Sequence, residues 1–521
     1  MLIPTCRRSP APASPLRPAS ALAASLLLAG LPGAASAGGF EMGANGTEAL
    51  GRAGAFTAKA DSPLALEYNV AGLAQQRGTR VLFDSNLFFS DYRFQRTGGD
   101  ALGPYAEVSD HAKQPFYAPW FGLTTDFGYF KRWTFSIGGF GPASVGRHDF
   151  GIFASSGGTR GGAGRYDVVA TDLLIIQPTF AVAFHAHRVI DIGLSVQQVS
   201  AVLNLASASY VSQAVPNHPE SDACAMQSET PGCDTFTRVQ VRSFNNFALQ
   251  LGLLLHPIGG LHIGAHVRSA VNLGIRPIEA TGIVSATDPP NVPLSSTFGD
   301  AAATAHMNAL FTTWLPWILR AGVRYAFGRP GREIADIELD ATYEMWGQID
   351  GSDNTLTLQN PPQLVNGGNP ITIRLTHNFH DTFSLRLGGS FTQPIGPEAG
   401  VTLRLGALYD SSSSPTAFTR IDFDTLAKVG ATAGLGFRVR GFTVNAAYAY
   451  LHSLPRTVTD GELRPIDGQT GKDLMIGGQL APAINNGTYS GHNHIVSVGV
   501  TFLFDEIVHG SGWRARRGLA D

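Results

Sequence analysis

Long segments in which apolar and polar residues alternate with a period of two constrain this sequence more than any other feature. Clear examples are 337–345, 401–407, 429–439, 442–450 and 496–504. This alternation is typical of β-strands that have one apolar face. The segments are roughly 11 to 20 residues long, whereas soluble strands average five or six residues and a tilted membrane strand needs nine to eleven. Strand length therefore favours a transmembrane barrel over a soluble β-sandwich, which also alternates.

The connections between the segments alternate between short turns and long loops. The short turns are at 127–131, 186–189, 257–261, 328–332, 394–400 and 440–441, and the long loops are near 93–113, 142–165, 211–235, 276–299, 348–370, 411–428 and 454–491. Bacterial outer-membrane barrels have short periplasmic turns and long external loops. The pattern predicts an all-β fold, a transmembrane antiparallel β-barrel of about fourteen strands at 79–504. Residues 310–327 are interpreted as one strand with an irregularity at Pro316.

Residues 1–37 have the pattern of a secretory signal peptide. Three arginines precede an apolar run at 19–31 and a small-residue site at 35–37. The apolar run is too short to cross a bilayer as a helix. We therefore expect an exported protein located in the bacterial outer membrane.

Composition and motifs exclude several function classes. Without the three signal arginines the chain has 34 basic and 40 acidic residues, and this net charge of −6 gives no reason to expect nucleic acid as a partner. No Ser, His and acid set and no glycine-rich nucleotide loop stands out, so we expect neither an enzyme nor a cofactor. His492 and His494 lie two residues apart, but without a third ligand we expect no metal site.

Cys224 and Cys233 are the cysteines that remain after signal cleavage. In an exported chain two cysteines at this spacing can form one disulfide that closes a short loop. Metal binding, the alternative, would need His or Cys partners, and the nearby sequence has none. We predict a disulfide in the third external loop.

Residues 38–78 do not continue the strand pattern. Small residues dominate at 43–46 and 51–55, and apolar residues are too few for a membrane-facing strand. A fourteen-stranded barrel has an interior wide enough to leak unless it is filled. We therefore predict that 38–78 form a hatch, a plug folded back into the lumen.

The chain resembles the FadL family of outer-membrane hydrophobic-compound transporters. The matching segments are Gly39–Glu41, Leu50–Ala55, Tyr68–Ala74, Gly164–Tyr166, Gln177–Ala183, Tyr343–Trp346, Leu403–Asp410 and Val444–Tyr450. The resemblance implies a fourteen-stranded barrel with an N-terminal hatch and passive uptake of long-chain fatty acids or of aromatic or aliphatic hydrocarbons. A hydrophobic small molecule and outer-membrane lipid are the expected partners, and we expect a monomer.

The resemblance also implies site residues. The hatch motif of the family, Asn-Pro-Ala-Gly, corresponds to Asn69, Ala71 and Gly72 here. Val70 replaces the proline, which removes a fixed φ angle and is expected to loosen the turn. The N-terminal aromatic residue that lies near the ligand in the family matches Phe40, which is therefore the candidate ligand-pocket residue.

The external loops and the C-terminus depart from the family pattern. The third loop is mostly polar at 221–229, whereas the fourth loop keeps the apolar residues Ile278, Ile283 and Val284. A tail at 505–521 follows the last strand, where the family normally ends on an aromatic residue. The polar third loop weakens the case for fatty acids in particular.

Gly138, Gly139 and Gly141 lie at the end of the third strand and are followed by a proline. Proline cannot donate to a strand ladder, and glycines permit a kink. One interpretation is that the strand ends here and becomes the second loop. The other is a lateral opening in the wall, which the resemblance implies for releasing apolar cargo into the membrane.

Two other functions stay open. A general diffusion porin would have an open, conducting lumen, and a surface-interaction barrel would mainly display its long loops. Charged residues on the predicted inner face, such as Arg324, Glu338 and Asp340, could orient a substrate carboxylate, although mutual pairing in a solvated lumen is the favoured interpretation.

Overall fold

In the computed structural model, fourteen antiparallel strands form the wall of a closed barrel. The structure describes residues 44–100, 103–110, 115–141, 147–154, 160–210, 234–287, 305–329, 332–348, 355–361, 366–396, 398–468 and 470–509. All of them belong to the larger of the two units into which the chain divides, 36–521.

The strands follow one another round the wall in chain order. They are β1 (Arg80–Arg96), β2 (Phe116–Thr125), β3 (Trp133–Phe140), β4 (Ala170–His187), β5 (Ile190–Tyr210), β6 (Asp234–Ile258), β7 (Leu261–Arg268 and Ile278–Thr287), β8 (Ala305–Thr313 and Ile318–Arg329), β9 (Arg332–Glu344 and Thr355–Leu358), β10 (Ile371–Arg374 and Thr382–Pro394), β11 (Ala399–Asp410), β12 (Lys428–Val439), β13 (Phe442–Val458) and β14 (Gly487–Leu503). β1 pairs with β14 along its whole length, from Arg80 opposite Leu503 to Arg96 opposite Gly487, and so closes the barrel. The predicted fourteen-stranded barrel is confirmed.

Shorter elements extend the wall or lie in the loops. Val108–Ser109 pairs with β1, and Arg147–Asp149 pairs with β4. Gly99–Asp100 with Gly103–Pro104, and Met475–Ile476 with Gln479–Leu480, form two small hairpins. A helix, Phe504–His509, follows β14. Within the described ranges, no helix has both the length and the apolar character needed to cross a bilayer.

The two faces of the wall follow the alternation seen in the sequence. Leu251, Val323 and Leu403 point outward and are more than half exposed, at 59%, 51% and 55%. Their strand neighbours point inward and are small or polar. A strand places successive side chains on opposite faces, so a period-two sequence gives the barrel an apolar outside and a polar inside.

Four neighbouring strands are interrupted at a similar position, and we call these breaks the interrupted belt. β7 leaves the sheet at 269–277, β8 at 314–317, β9 after Glu344 and β10 at 375–381. The break in β8 contains Pro316, as the sequence predicts. Beyond its break β7 resumes, so the residues 278–287, assigned to the fourth loop by the sequence, belong to the wall.

Residues 44–78 lie inside the barrel. They contain a short helix α1 (Thr47–Leu50), a second helix α2 (Ala65–Tyr68) and a 3-10 helix (Val70–Gln75). Their apolar side chains are buried in one cluster with wall residues such as Phe88, Trp120 and Phe140. Burying a large apolar side chain contributes about 1.5–3 kcal/mol, so this packing holds the segment in the lumen.

Candidate transport site

Three carboxylates of β9 hold the lumen segment 44–78. Asp336, Glu338 and Asp340 alternate with outward apolar residues and therefore share the inner face of the strand. All three are buried. Buried carboxylates are stable only when they are paired and hydrogen-bonded, so their partners identify their role.

Arg52 is a cationic partner of two of these carboxylates, and Arg324 of β8 also reaches Asp336 at 2.8 Å. Arg52 Nη1 lies 2.7 Å from Asp336 and its Nη2 lies 2.9 Å from Glu338. Burial alone would lower the pKa of Arg52, but the two carboxylates outweigh burial and raise that pKa above its ordinary value. The guanidinium therefore stays charged and cross-links the segment to the wall.

Backbone amides of the lumen segment bind the same strand. Phe56 and Thr57 donate their N–H groups to Asp340 at 2.9 and 2.8 Å, and Ala58 and Lys59 donate theirs to Glu338 at 2.6 and 3.1 Å. These four bonds satisfy buried backbone donors that would otherwise lack partners. The inner-face acids that the sequence singled out thus bind the buried segment, and do not simply pair with one another in a solvated lumen.

The first helix of the segment is bound on the other side of the lumen. Thr47 donates its backbone N–H to Asp84 of β1 at 3.1 Å, and its hydroxyl lies 2.7 Å from that of Ser497 in β14. Arg404 of β11 reaches Glu48 at 3.4 Å. Polar bonds therefore connect the segment to widely separated parts of the wall.

Inward-facing glycines let the segment touch the backbone of the wall. A Cβ atom at Gly193 or at Gly252 would overlap atoms of Val70 and Ala71 in the 3-10 helix. Other wall glycines whose Cβ would meet the segment are Gly264, Gly322, Gly388, Gly406 and Gly434. Sequence reasoning missed these positions, although glycine on the inner face of a strand is a readable signal of close backbone approach.

The motif residues Asn69, Ala71 and Gly72 shape the turn before the 3-10 helix. The side chain of Asn69 accepts the N–H of Ala71 at 3.1 Å and donates to the carbonyl of Thr57 at 2.9 Å and to that of Leu253 in β6 at 3.1 Å. A Cβ at Gly72 would overlap the carbonyl of Ala60. These contacts define the turn. Val70 occupies the position of the family proline in this turn and is fully buried.

A second feature of the lumen is an apolar cavity of about 110 Å³ next to the interrupted belt. Its aromatic lining consists of Phe311, Trp314, Trp346, Phe379 and Phe423. Its aliphatic lining includes Leu173, Ile175, Val199, Val241, Ile278, Ala280 and Leu315. Trp314, Leu315, Trp346 and Phe379 come from the breaks in β8, β9 and β10, so the breaks turn large apolar side chains inward.

One edge of the cavity is ionic. His377 Nε2 lies 2.7 Å from Asp422, and the His377 ring stacks on Phe379 with centroids 4.7 Å apart. Arg420 lies 3.3 Å from Asp422 and 2.6 Å from Asp167. Burial tends to raise the pKa of Asp422, but His377 and Arg420 outweigh it and hold the pKa at about 2. The ionisable groups at this edge are therefore bound to one another.

The three glycines of the predicted opening lie at the end of β3. Gly138 and Gly139 are paired on both sides, with β2 and with β4, and the pairing ends at Phe140. Gly141 follows the strand, and its carbonyl accepts a hydrogen bond from Asn45 of the lumen segment at 2.6 Å. The wall is thus continuous at Gly138 and Gly139, and β3 stops one residue before Gly141.

Other predicted site residues lie outside the described residues. They are Phe40, Cys224 and Cys233, together with the signal segment and the tail beyond His509. Their predicted roles stay predictions.

The fold and the lumen can be compared with known proteins. The model of the family described as "Outer membrane protein transport protein (OMPP1/FadL/TodX)" matches residues 28–504. No curated protein matches the sequence.

Several solved structures share the fold at low sequence identity. A Pseudomonas aeruginosa FadL homologue has a TM-score of 0.66 at 16% identity, over 90% of this chain and 100% of that one. The CymD monoaromatic hydrocarbon channel has a TM-score of 0.57 at 14% sequence identity, over 89% of this chain and 98% of that one. The Ralstonia pickettii toluene transporter TbuX has a TM-score of 0.57 at 16% sequence identity, over 88% of this chain and 98% of that one. The chain belongs to the OMPP1/FadL/TodX family and is a bacterial outer-membrane β-barrel that transports hydrophobic compounds and is not an enzyme.

Proposed function

We propose that this protein passes compact apolar molecules, about the size of one aromatic ring, while residues 38–78 act as a hatch that closes the lumen to ions. The cargo occupies the apolar cavity and leaves sideways past the end of β3. The observation that carries the proposal is the cavity itself, which is lined by aromatic and aliphatic side chains beside a filled lumen.

The size of the cavity supports a small cargo. An engineered apolar cavity of about 150 Å³ binds benzene, so a cavity of comparable size suits a single ring. The extended chain of a long-chain fatty acid needs several times that space. Among proteins of similar fold, CymD is described as a monoaromatic hydrocarbon channel and TbuX as a toluene transporter.

The ionic edge of the cavity also supports an uncharged cargo. A fatty acid carboxylate needs a cationic partner when it leaves water. At this edge Arg420 is already bound to Asp167 and Asp422, and His377 is bound to Asp422. A carboxylate would have to displace these acids, whereas toluene would not.

The buried lumen segment supports a closed channel rather than a general porin. Leu50, Arg52, Phe56 and Leu73 are all at most 1% exposed, so solvent does not run freely past them. The wall closes on itself within one chain, which supports a monomer as the transporting unit. In this proposal 38–78 is the hatch, 79–504 the wall and 505–521 a tail without an assigned role.

The end of β3 is the proposed exit because it meets the cavity. β4 pairs with β3 only up to Gln177, and its pairing resumes at Asp172 with Arg147. The intervening residues of β4 include Leu173 and Ile175, which line the cavity. A Cβ at Gly141 would lie 2.8 Å from the carbonyl of Ile175. An apolar molecule gains about 0.8 kcal/mol per buried methylene, which favours release into lipid over release into water.

Ligand binding to the purified protein tests the cavity. We expect toluene to bind and palmitate not to compete with it. A280F should weaken toluene binding at least tenfold, because Ala280 lines the cavity and a phenyl ring would fill it. A321F is the matched control, since Ala321 lies on the exposed outer face of β8. Tight palmitate binding without toluene binding would overturn the proposed cargo.

A further inference from the structure

The break in β7 carries an apolar protrusion on the outer surface of the barrel. Residues Val271–Gly274 form a 3-10 turn between the two strand segments. Leu273 is 44% exposed and Ile275 is 81% exposed, so both point away from the wall. Large apolar side chains on this surface contact lipid.

This turn is held in a strained conformation. Asn272 and Leu273 have φ angles of 56° and 59°, in the left-handed region. Asparagine tolerates that region, but leucine adopts it only at a cost in backbone strain. Backbone strain of this kind persists where the surrounding structure requires it and is concentrated at functional sites.

Side chains replace part of the strand ladder around the turn. β6 and β7 do not pair between Arg242 and Gln250 of β6. Here Asn272 accepts the N–H of Phe247 at 3.2 Å, and the hydroxyl of Ser269 accepts that of Leu249 at 2.9 Å. Two backbone N–H groups of β6 are thus satisfied by side chains where the ladder is interrupted, as an opening at membrane depth requires.

Behind the turn, apolar side chains lead directly to the cavity. Val271 is buried and packs in one cluster with Ile278, Leu315 and Trp346, all three of which line the cavity. The N–H of Val271 donates to the carbonyl of Leu315 in the break of β8 at 3.2 Å. Val271 therefore packs against the cavity lining from the same turn that carries Leu273 on the surface.

The break lies at the outer edge of the lipid-facing band. The outward residues of β8 run from Phe327 near the periplasmic turn to Leu319 next to the break. The eight steps between these residues cover roughly 26 Å along a strand that is tilted by about 40°, which corresponds to a height of roughly 20 Å within an apolar band of about 25 Å. Leu273 and Ile275 are therefore level with the outer leaflet.

We propose that the interrupted belt between β6 and β8 is a second side portal, through which apolar molecules dissolved in the outer leaflet reach the cavity, with Val271 as its gate. The inference rests on the proposed function, since the portal leads to the proposed cargo cavity. It differs from the gap at β3, which lies on the other side of β4 and β5. Cargo would then be collected from the lipid as well as from the external medium.

Stopped-flow fluorescence on the full chain in proteoliposomes tests the portal. Bromobenzene dissolved in the bilayer is the probe, because its heavy atom quenches tryptophan. Quenching of Trp314 and Trp346, which line the cavity, is the part of the fluorescence change that disappears in the W314F/W346F variant. V271F should slow this signal at least tenfold with an unchanged equilibrium amplitude, because the larger ring blocks the path. V271A should accelerate it. V323F, on the exposed outer face of β8, should change neither quantity.

The outcomes separate the portal from the cavity. Cavity quenching in the parent with equal rates in the parent, V271F, V271A and V323F proteins would overturn the portal and leave the cargo cavity in place. Absence of cavity quenching in the parent would overturn both. If V271F fails to assemble, an unchanged rate in V271A is enough to reject the portal.

Discussion

The Nη2 atom of Arg52, inside the barrel, lies 2.9 Å from the carboxylate of Glu338 in β9, and both side chains are fully buried. Removing one partner of a buried ion pair leaves an uncompensated charge and costs about 3–5 kcal/mol. Loss of either partner is therefore expected to weaken the attachment of the hatch to the wall.

The first prediction is that R52A loosens the hatch. Glu338 would lose its cationic partner, whereas Asp336 would keep Arg324 at 2.8 Å, and the segment should leave the lumen for part of the time. We expect a raised ion conductance in planar bilayers and a lower midpoint of thermal unfolding. R440A is the control, because Arg440 pairs with Glu398 in an exposed turn where an ion pair contributes about 0–1 kcal/mol. Equal currents from R52A and the parent would reject the attachment role.

The second prediction concerns the glycines that face the hatch. A Cβ at Gly252 would lie within 3.0 Å of atoms of Asn69, Val70 and Ala71, so G252V should displace the 3-10 helix without breaking β6. We expect normal heat-modifiable gel mobility but increased protease sensitivity within 44–78. G139V is the matched variant, since a Cβ at Gly139 meets no atom within 4 Å. If both variants resist protease alike, the glycines do not determine the docking of the hatch.

The inner faces of the strands were predictable from the sequence, but their partners were not. Period-two alternation places Glu338 and Asp340 inside the barrel because side-chain direction is a local property of a strand. Arg52 is 286 residues away from Glu338, and no local pattern encodes that contact. In the same way, Pro316 indicates the break in β8, whereas the cavity depends on breaks in three neighbouring strands, β8, β9 and β10, that meet in space.

The third prediction addresses release at β3. G141V should reduce uptake of toluene several-fold, because the added side chain would crowd the carbonyl of Ile175 beside the cavity. Ligand binding should persist, since Gly141 is not a lining residue. G139V, which points into open space, should transport normally. Normal uptake by a folded G141V protein would argue against release at this place.

The fourth prediction is the disulfide between Cys224 and Cys233. Peptide mapping of protein isolated from the outer membrane, without reduction, should recover the two cysteines in one linked peptide pair. A C224S variant should assemble normally, because a loop disulfide restricts the unfolded loop more than the barrel. Two free thiols in the isolated protein would contradict the prediction.

The position of the hatch at the start of the chain has a consequence for assembly. Arg52 precedes Asp336 by 284 residues, so the hatch is exported long before β9, which supplies its main acceptors. Contacts of such large sequence separation form slowly. We therefore expect the amides of 56–59 to stay solvated until most of the wall has been inserted. A newly inserted barrel would then conduct ions until the N-terminal segment docks, so hatch docking would be the last step of biogenesis and the one that seals the lumen.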